Sequence, residues 1–289
     1  MLQVVAYHPR TQHTPAMELK VTTYTVADHV ATITLNRPER LNSWTGRMHA
    51  EYRWCVQQAE DDGEVGCIVV TGAGRGFCAG ADARALEGHV AKGGYDAGTP
   101  DVMANPGYGV AREFDHDFAF HFGLTKPVIA AVNGAAAGVG LVLACFADLR
   151  FAANGAKLTT AHGRLSLPAE YGLSWLLPRI VGLGHANDLL LSSRVVLAEE
   201  AERMGLVNRA LPSGELLDYT YTYARRLAAN ISPESLRETK HAVYRDQHRD
   251  VGTSVEEAGR LLNEMTRGPA FREGVAALAE KREPVFRTM

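Results

Sequence analysis

The chain has 289 residues, of which 46% are hydrophobic, 22% charged and 8% aromatic, enough apolar matter for a substantial core and incompatible with a disordered or fibrous chain. Its 30 Lys and Arg against 33 Asp and Glu leave a net charge of −3, so the basic excess of a phosphate-backbone binder is missing and no nucleic-acid partner is expected. No apolar run reaches the roughly 18 to 20 residues that span a bilayer, and the opening MLQVVAYHPRTQHTPAMELK lacks a signal peptide's apolar centre, so a cytoplasmic protein without membrane insertion is expected.

Residues 1–17 contain Pro9 and Pro15 and show no periodicity, which reads as a flexible arm with Met17 as an alternative start. Residues 21–26 and 30–35 are β-rich runs on either side of Asp28-His29, a hairpin followed by a turn at 36–39. The pattern from 45 to 59 favours a helix. A unit then recurs in which a short apolar run enters a glycine-rich loop and then a segment with helical potential: 67–71 leads into 72–80, and 127–132 leads into 133–140 and a helix to Phe146. Apolar runs without alternation predict strands buried on both faces, hence parallel or stacked sheets with helices outside.

Residues 86–125 break this rhythm with many glycines and the polar run Glu113-Phe114-Asp115-His116-Asp117, as an insertion lying over the fold would, a lid being one reading. Asp115 and Asp117 read as a solvated face, and His116 and His121 as weak candidates for chemistry. Beyond Gly184 the pattern turns helical, at 186–192, 198–204, 214–230, 233–249, 254–267 and 270–281. Ser232-Pro233-Glu234 supplies an N-cap with proline at the first helical position, and Gly268-Pro269 separates the last two helices. An αβ core over 18–210 with an insertion at 86–125, followed by a helical region over 211–289, is the expected organisation.

Cys55, Cys67, Cys78 and Cys145 are spaced too widely for a zinc or redox pair and are too few for a disulfide framework, so buried thiols and no metal site are expected. HExxH, P-loop, GxSxG and CxxC motifs are absent from the sequence, and Gly138-Val139-Gly140 only half matches a dinucleotide fingerprint. What remains is the pair of glycine-rich loops, each ending where a helix begins. Backbone N–H groups at helix N-termini lack partners and carry partial positive charge, so two such ends facing each other could hold a developing oxyanion. The alternative is that the glycines only permit tight turns.

The segments NRPERLN (36–42), TGAGRGFCAGAD (71–82), KPVIAAVNG (126–134), LAEEAERMGLV (197–207) and EGVAALAEKR (273–282) together resemble, in order, the enoyl-CoA hydratase/isomerase (crotonase) superfamily. The resemblance runs from about residue 20 to the C-terminus. It implies an α/β fold, a spiral of repeated ββα units with a C-terminal helical region that trimerises, as a homotrimer or a dimer of trimers. It also implies an acyl-CoA thioester substrate, with coenzyme A entering as part of the substrate and no separate cofactor. By position, the thioester carbonyl is held by the backbone N–H groups of Ala81 and Val139. Glycine is usual at the second place, and valine keeps the donor while restricting the loop and narrowing the pocket. Arg40, Leu41 and Lys281 match places that contact coenzyme A, Lys281 reaching over from a neighbouring subunit, and Arg75 is a further candidate cation.

The hydratases of this superfamily activate water with two glutamates, and this chain has Val142 and His162 at those places. Glu170 instead matches the place where its enoyl-CoA and dienoyl-CoA isomerases carry a single acidic residue. Burial among Leu167, Leu173 and Trp175 would raise this carboxyl toward a useful base, whereas a salt bridge or helix-start role is the alternative. His162 reads either as a general base or acyl-group partner, or as a structural histidine. Three functions follow: double-bond isomerisation by Glu170, hydration by Glu170 with His162, or acyl-CoA binding without catalysis.

Overall fold

The computed structural model describes residues 17–93 and 110–286; the expected flexible arm, apart from Met17, and the glycine-rich part of the expected insertion lie outside the described residues. Strands β1 (Thr22–Ala27) and β2 (Val30–Leu35) pair as an antiparallel hairpin. Asp28 and His29 between them both have positive φ, 49° and 61°, the backbone that a two-residue turn matched to strand twist requires. Helix α1 (Gly46–Asp61) opens on Thr45, whose hydroxyl accepts from the Met48 N–H at 3.1 Å.

A three-part unit then repeats. Strand β3 (Cys67–Gly72), short strand β4 (Gly76–Cys78) and helix α2 (Ala83–Lys92) form the first copy; β5 (Val128–Val132), β6 (Ala135–Ala137) and α3 (Val139–Phe146) form the second. The third comprises β7 (Leu149–Ala153), β8 (Lys157–Thr159) and α4 (Leu173–Ser192). Strand β9 (Val196–Leu197), helix α5 (Ala198–Arg203) and strand β10 (Arg209–Leu211) follow, and α6 (Leu216–Asn230), α7 (Pro233–Arg245), α8 (Val251–Met265) and α9 (Pro269–Glu280) complete the chain. The first strands of each unit join a six-stranded sheet, β1-β2-β3-β5-β7-β10, parallel from β2 onward; the second strands build a four-stranded sheet, β4-β6-β8-β9. This is the repeated ββα spiral with a helical C-terminal region. The short second strands escaped the sequence reading because three residues display no periodicity.

The large sheet is covered on both sides. Ile68, Val70, Ala130 and Val132 face the main core, while Val69, Ile129, Ala131 and Phe151 pack against Leu216, Ala224 and Ala228 of α6. Every residue of β3 and β5 is therefore buried, the reason their sequences show no polar alternation. All four cysteines are buried.

Two expectations need correction. Of the described parts of the expected insertion, residues 86–92 belong to α2, and 110–125 contributes to the core rather than only covering it, since Phe114, Phe118, Phe120 and Phe122 are all buried. Asp117 is exposed, as expected of a solvated face, and its Oδ1 also lies 3.3 Å from Arg53 Nη1 and 3.5 Å from His49 Nε2. Helix α4 also begins at Leu173 instead of near residue 186, because Pro178 and a sharp break at Gly182 (φ 75°, ψ 161°) mask its first half.

The N-terminal edge of the hairpin is fastened by one carboxylate. Glu51, 1% exposed on α1, accepts the Lys20, Val21 and Thr22 N–H groups and the Thr22 hydroxyl at 2.9–3.0 Å, and Arg47 Nε at 2.6 Å. Burial pushes its carboxyl up, but the Val21 and Lys20 amides, Thr22 and Arg47 together hold it below the usual range. Glu51→Ala is expected to cost about 3 kcal/mol, from lost charge-assisted bonds and orphaned amides. In a melting experiment that is a fall of roughly 6–12 °C at neutral pH. A depressed carboxyl stabilises the fold above its unfolded-state value and loses that contribution as pH falls through the folded-state value, so the gap between variant and parent should close in acid.

Candidate active site

Two tight loops meet side by side because β4 and β6 are hydrogen-bonded neighbours. After β4 the chain turns through Gly80 at φ +107°, where an added Cβ would lie 3.3 Å from the Ala137 carbonyl oxygen. Ala81 follows. Trp44 grips it from one side, its N–H donating to Gly80 O at 2.8 Å and its carbonyl accepting from the Asp82 N–H at 2.9 Å. The Ala81 N–H shares a trans peptide with the Gly80 carbonyl that accepts from Trp44, and in a trans peptide N–H and C=O point in opposite directions, so the Ala81 N–H faces away from Trp44. Asp82 fixes the next position: it bonds Arg37 Nη2 at 2.9 Å and the Arg84 N–H at 3.0 Å, capping α2. Asn42 ties the glycine-rich loop beneath by donating to Ala73 O and Gly76 O at 2.9 and 2.7 Å.

On the second loop, Gly138 takes φ 48° and ψ −122°, and Val139 opens α3, whose eight residues are all buried. Close packing of α3 on β4 demands glycine at its second residue: a Cβ on Gly140 would stand 2.1 Å from Cys78 O. Gly138 donates to Thr159 O and Val142 donates back to Gly138 O, while the amides of Ala81 and Val139 have no hydrogen-bond acceptor among the described residues. Two N–H donors, one of them at the positive end of a helix, thus stand on adjoining loops.

Glu170 lies in a single 3₁₀ turn, Glu170–Gly172, where Tyr171 (φ 49°) and Gly172 (φ 75°) both hold left-handed backbone. This twist returns the carboxyl toward the second loop: Glu170 Oε2 lies 3.7 Å from where a Cβ of Gly138 would sit. Burial pushes its carboxyl up, opposed more weakly by nearby His162. Among the described residues no cation or amide is paired with it, so the salt-bridge alternative is not what the fold builds. Of the apolar residues expected around it, Leu173 is buried, Trp175 half-buried and Leu167 exposed.

His162, at the start of a 3₁₀ turn (His162–Leu165), is buried, and its Nδ1 has no hydrogen-bond partner among the described residues. Val142 is buried in α3. His116 is exposed. His121 is structural: fully buried, it donates from Nδ1 to Phe118 O at 2.6 Å and accepts from the Tyr52 hydroxyl at Nε2, also at 2.6 Å, and burial pushes it down to about 4.

Beside Asp82 opens a cleft of about 360 Å³ lined by Arg37, Arg40, Thr45, Asp82 and Arg84. Arg40 is exposed at its rim and Leu41 (φ 50°) is half-buried behind it. Arg37 and Arg84 were not among the expected site residues, although Arg37 lies inside the NRPERLN segment and Arg84 two residues beyond TGAGRGFCAGAD. Arg75 is exposed and does not line the cleft. Lys281 does not line it either; it is exposed and caps α9 in left-handed backbone (φ 56°). Among the described residues no three His, Cys, Asp or Glu side chains are grouped to hold a metal, and no helix is long and apolar enough to cross a membrane.

Two amides left without an acceptor among the described residues on adjoining glycine loops, with one desolvated carboxyl beside them, form an arrangement that can polarise a carbonyl group and move a proton next to it. The family model described as "Enoyl-CoA hydratase/isomerase" matches residues 25–289, and the chain belongs to that family of enzymes, with its crotonase fold. The 1,2-epoxyphenylacetyl-CoA isomerase of Escherichia coli (strain K12) is 37% identical over 257 residues, spanning 89% of this chain and 94% of that one. A protein of Mycobacterium tuberculosis (strain ATCC 25618 / H37Rv) named "Probable enoyl-CoA hydratase" is 39% identical over 264 residues, 89% of each chain. The crystal structure of an enoyl-CoA hydratase from Bacillus anthracis superposes with a TM-score of 0.81 at 27% identity, covering 93% of this chain and 100% of that one.

Proposed function

We propose that this enzyme isomerises the double bond of an acyl-CoA thioester through an enolate, with Glu170 as its single proton carrier. The observation that carries this reading is the placement of the Glu170 carboxyl, partly buried and without a partner among the described residues, 3.7 Å from the Cβ position of Gly138 and hence next to the Val139 amide. Val142 and His162 stand where a hydratase would hold its carboxylate pair. On a 3-enoyl thioester, the carbonyl oxygen accepts from the Ala81 and Val139 N–H groups. Glu170 takes a proton from C2, the electron pair spreads over a dienolate, and the same carboxylic acid returns a proton at C4. The double bond moves from C3–C4 to C2–C3, and no proton is gained or lost overall. That a relative 37% identical is named an isomerase of an acyl-CoA supports the assignment.

The cleft holding Arg37, Arg40 and Arg84 suits the coenzyme's phosphates, with Leu41 behind its rim. Lys281 would serve the same purpose only across a subunit boundary. Exposed apolar side chains on the last two helices, including Val251 at 80% and Leu278 at 81%, support a homotrimer or dimer of trimers. A second reading, hydration, is favoured by one observation: the imidazole of His162, whose Nδ1 has no partner among the described residues, lies close enough to Glu170 to influence its ionisation, and the two could activate a water.

The test is to offer purified enzyme a 3-enoyl-CoA and a 2-enoyl-CoA separately, in deuterated solvent. Gain of conjugated absorbance with the first is the expected result, with deuterium at C4 only to the extent that the proton on Glu170 exchanges with solvent before it is returned. Loss of conjugation with the second would instead establish hydration, and binding without either reaction would leave only an acyl-CoA binder.

A pH dependence follows. A base must be ionised to act, and burial raises the Glu170 carboxyl. The acid limb of kcat/KM is therefore expected above the ordinary glutamate value of about 4.3, with activity falling as pH drops through the raised value. A limb at or below that ordinary value in initial-rate profiles would contradict Glu170 as the base.

A further inference from the structure

We propose that Phe118 ends the acyl pocket and sets the length of acyl chain the enzyme accepts; this rests on the acyl-thioester reading above. On that reading, the acyl chain of a thioester held by Ala81 and Val139 runs past Glu170 and on into the fold. There one ring closes the way. Phe118 lies with its ring centroid 5.6 Å from that of Trp44, the residue gripping Ala81, and 5.0 Å from that of Tyr171, the residue following Glu170. It also meets His49 at 5.9 Å and Phe146 at 6.5 Å. At 1% exposure it fills the gap between the arm of the site that carries a donor and the arm that carries the base.

The backbone shows that this ring is held there against local preference. Phe118 adopts φ 60° and ψ −35°, a conformation unfavourable for a bulky side chain, and such strain persists only where surrounding structure over-determines it. The holding contacts are explicit. The Phe118 carbonyl accepts both the His121 N–H, at 3.1 Å, and His121 Nδ1, at 2.6 Å, and His121 is in turn anchored by the Tyr52 hydroxyl. A phenylalanine that served only as filler could relax; this one is clamped at its carbonyl while its ring is wedged between the two halves of the site.

Close-packed interiors do not refill the space left by a deleted ring completely. Phe118→Ala should therefore open room for additional methylenes beyond Glu170. The experiment measures kcat/KM for a ladder of 3-enoyl-CoA thioesters, from four carbons upward in two-carbon steps, for the parent enzyme, Phe118→Ala and Phe118→Leu. The expected result is that the ratio of kcat/KM for the first chain length the parent discriminates against, over that for its best substrate, rises about tenfold or more in Phe118→Ala, the scale on which pockets discriminate single methylenes. Phe118→Leu should shift the ratio in the same direction by a smaller factor, and it decides the matter if the alanine variant does not fold. A residue with a merely structural role would lower activity on every chain length alike, so an unchanged ratio in a folded variant overturns the proposal. A parent enzyme that turns over no thioester of any length overturns the reading on which the proposal rests.

Discussion

Glu170→Gln is expected to lower turnover of a 3-enoyl thioester by about 10²- to 10⁴-fold, the range over which a positioned proton carrier contributes, while leaving acyl-CoA affinity nearly unchanged. Glutamine keeps the shape and removes only the ability to take and return a proton. Stability should move the other way. Because burial raises the carboxyl above its ordinary value, the folded state favours the protonated form, and the stabilisation that this brings is present below the unfolded-state value and lost as pH rises through the folded-state value. At neutral pH the parent carries an ionised carboxylate that the site solvates poorly, and Glu170→Gln removes it. A variant at least as heat-stable as the parent at pH 7, with turnover lost, is the combined signature of a group retained for chemistry at some cost to the fold. Stopped-time absorbance assays and calorimetry on the same preparation test both halves; an unchanged rate would remove Glu170 from the mechanism.

The second large effect is expected from Gly138→Ala. Space is not the obstacle, since the new Cβ would meet nothing closer than Glu170 Oε2 at 3.7 Å. The obstacle is the backbone: at φ 48° and ψ −122° an L-residue is strained by its own Cβ, typically by about 1–3 kcal/mol. The peptide entering Val139 will rotate to relieve it and swing the N–H donor off the oxyanion. Loss of one such donor costs about 10²–10³ in kcat. The prediction is a fall of that order in kcat with a smaller change in KM and an intact far-ultraviolet circular dichroism spectrum. A variant that loses substrate affinity while keeping kcat would show that the Val139 amide does not stabilise charge developing in the reaction.

Much of the architecture was visible in the order of residues for a physical reason. Strands β3 and β5 are buried on both faces, so every residue must be apolar or small, and a run such as CIVVTG declares itself without any partner being known. Two of the C-terminal helices are capped by local side chains, α8 by Asp250 and α7 by Ser232, whose hydroxyl accepts from the Ser235 N–H and marks the helix start from sequence alone. The misread regions are those where local pattern and tertiary environment part company. Between 110 and 125, acidic residues and histidines alternate with phenylalanines, so the local pattern is that of a polar segment while the alternating rings Phe118, Phe120 and Phe122 join the core. The first half of α4 was hidden by Pro178 and Gly182.

The candidate site divides along the same line. Sequence alone determined which residues could serve: two glycine loops whose amides could remain unpaired, one acid without its usual partners, and, through family resemblance, the positions of Ala81, Val139 and Glu170. Only the tertiary structure decided that these become neighbours. Pairing of β4 with β6 sets one loop against the other, and the left-handed turn at Tyr171 and Gly172 brings the carboxyl back to Gly138. Short-range patterns record what a residue can do; distances between residues far apart in the chain are set by sheet pairing and by dense packing, which no local pattern contains.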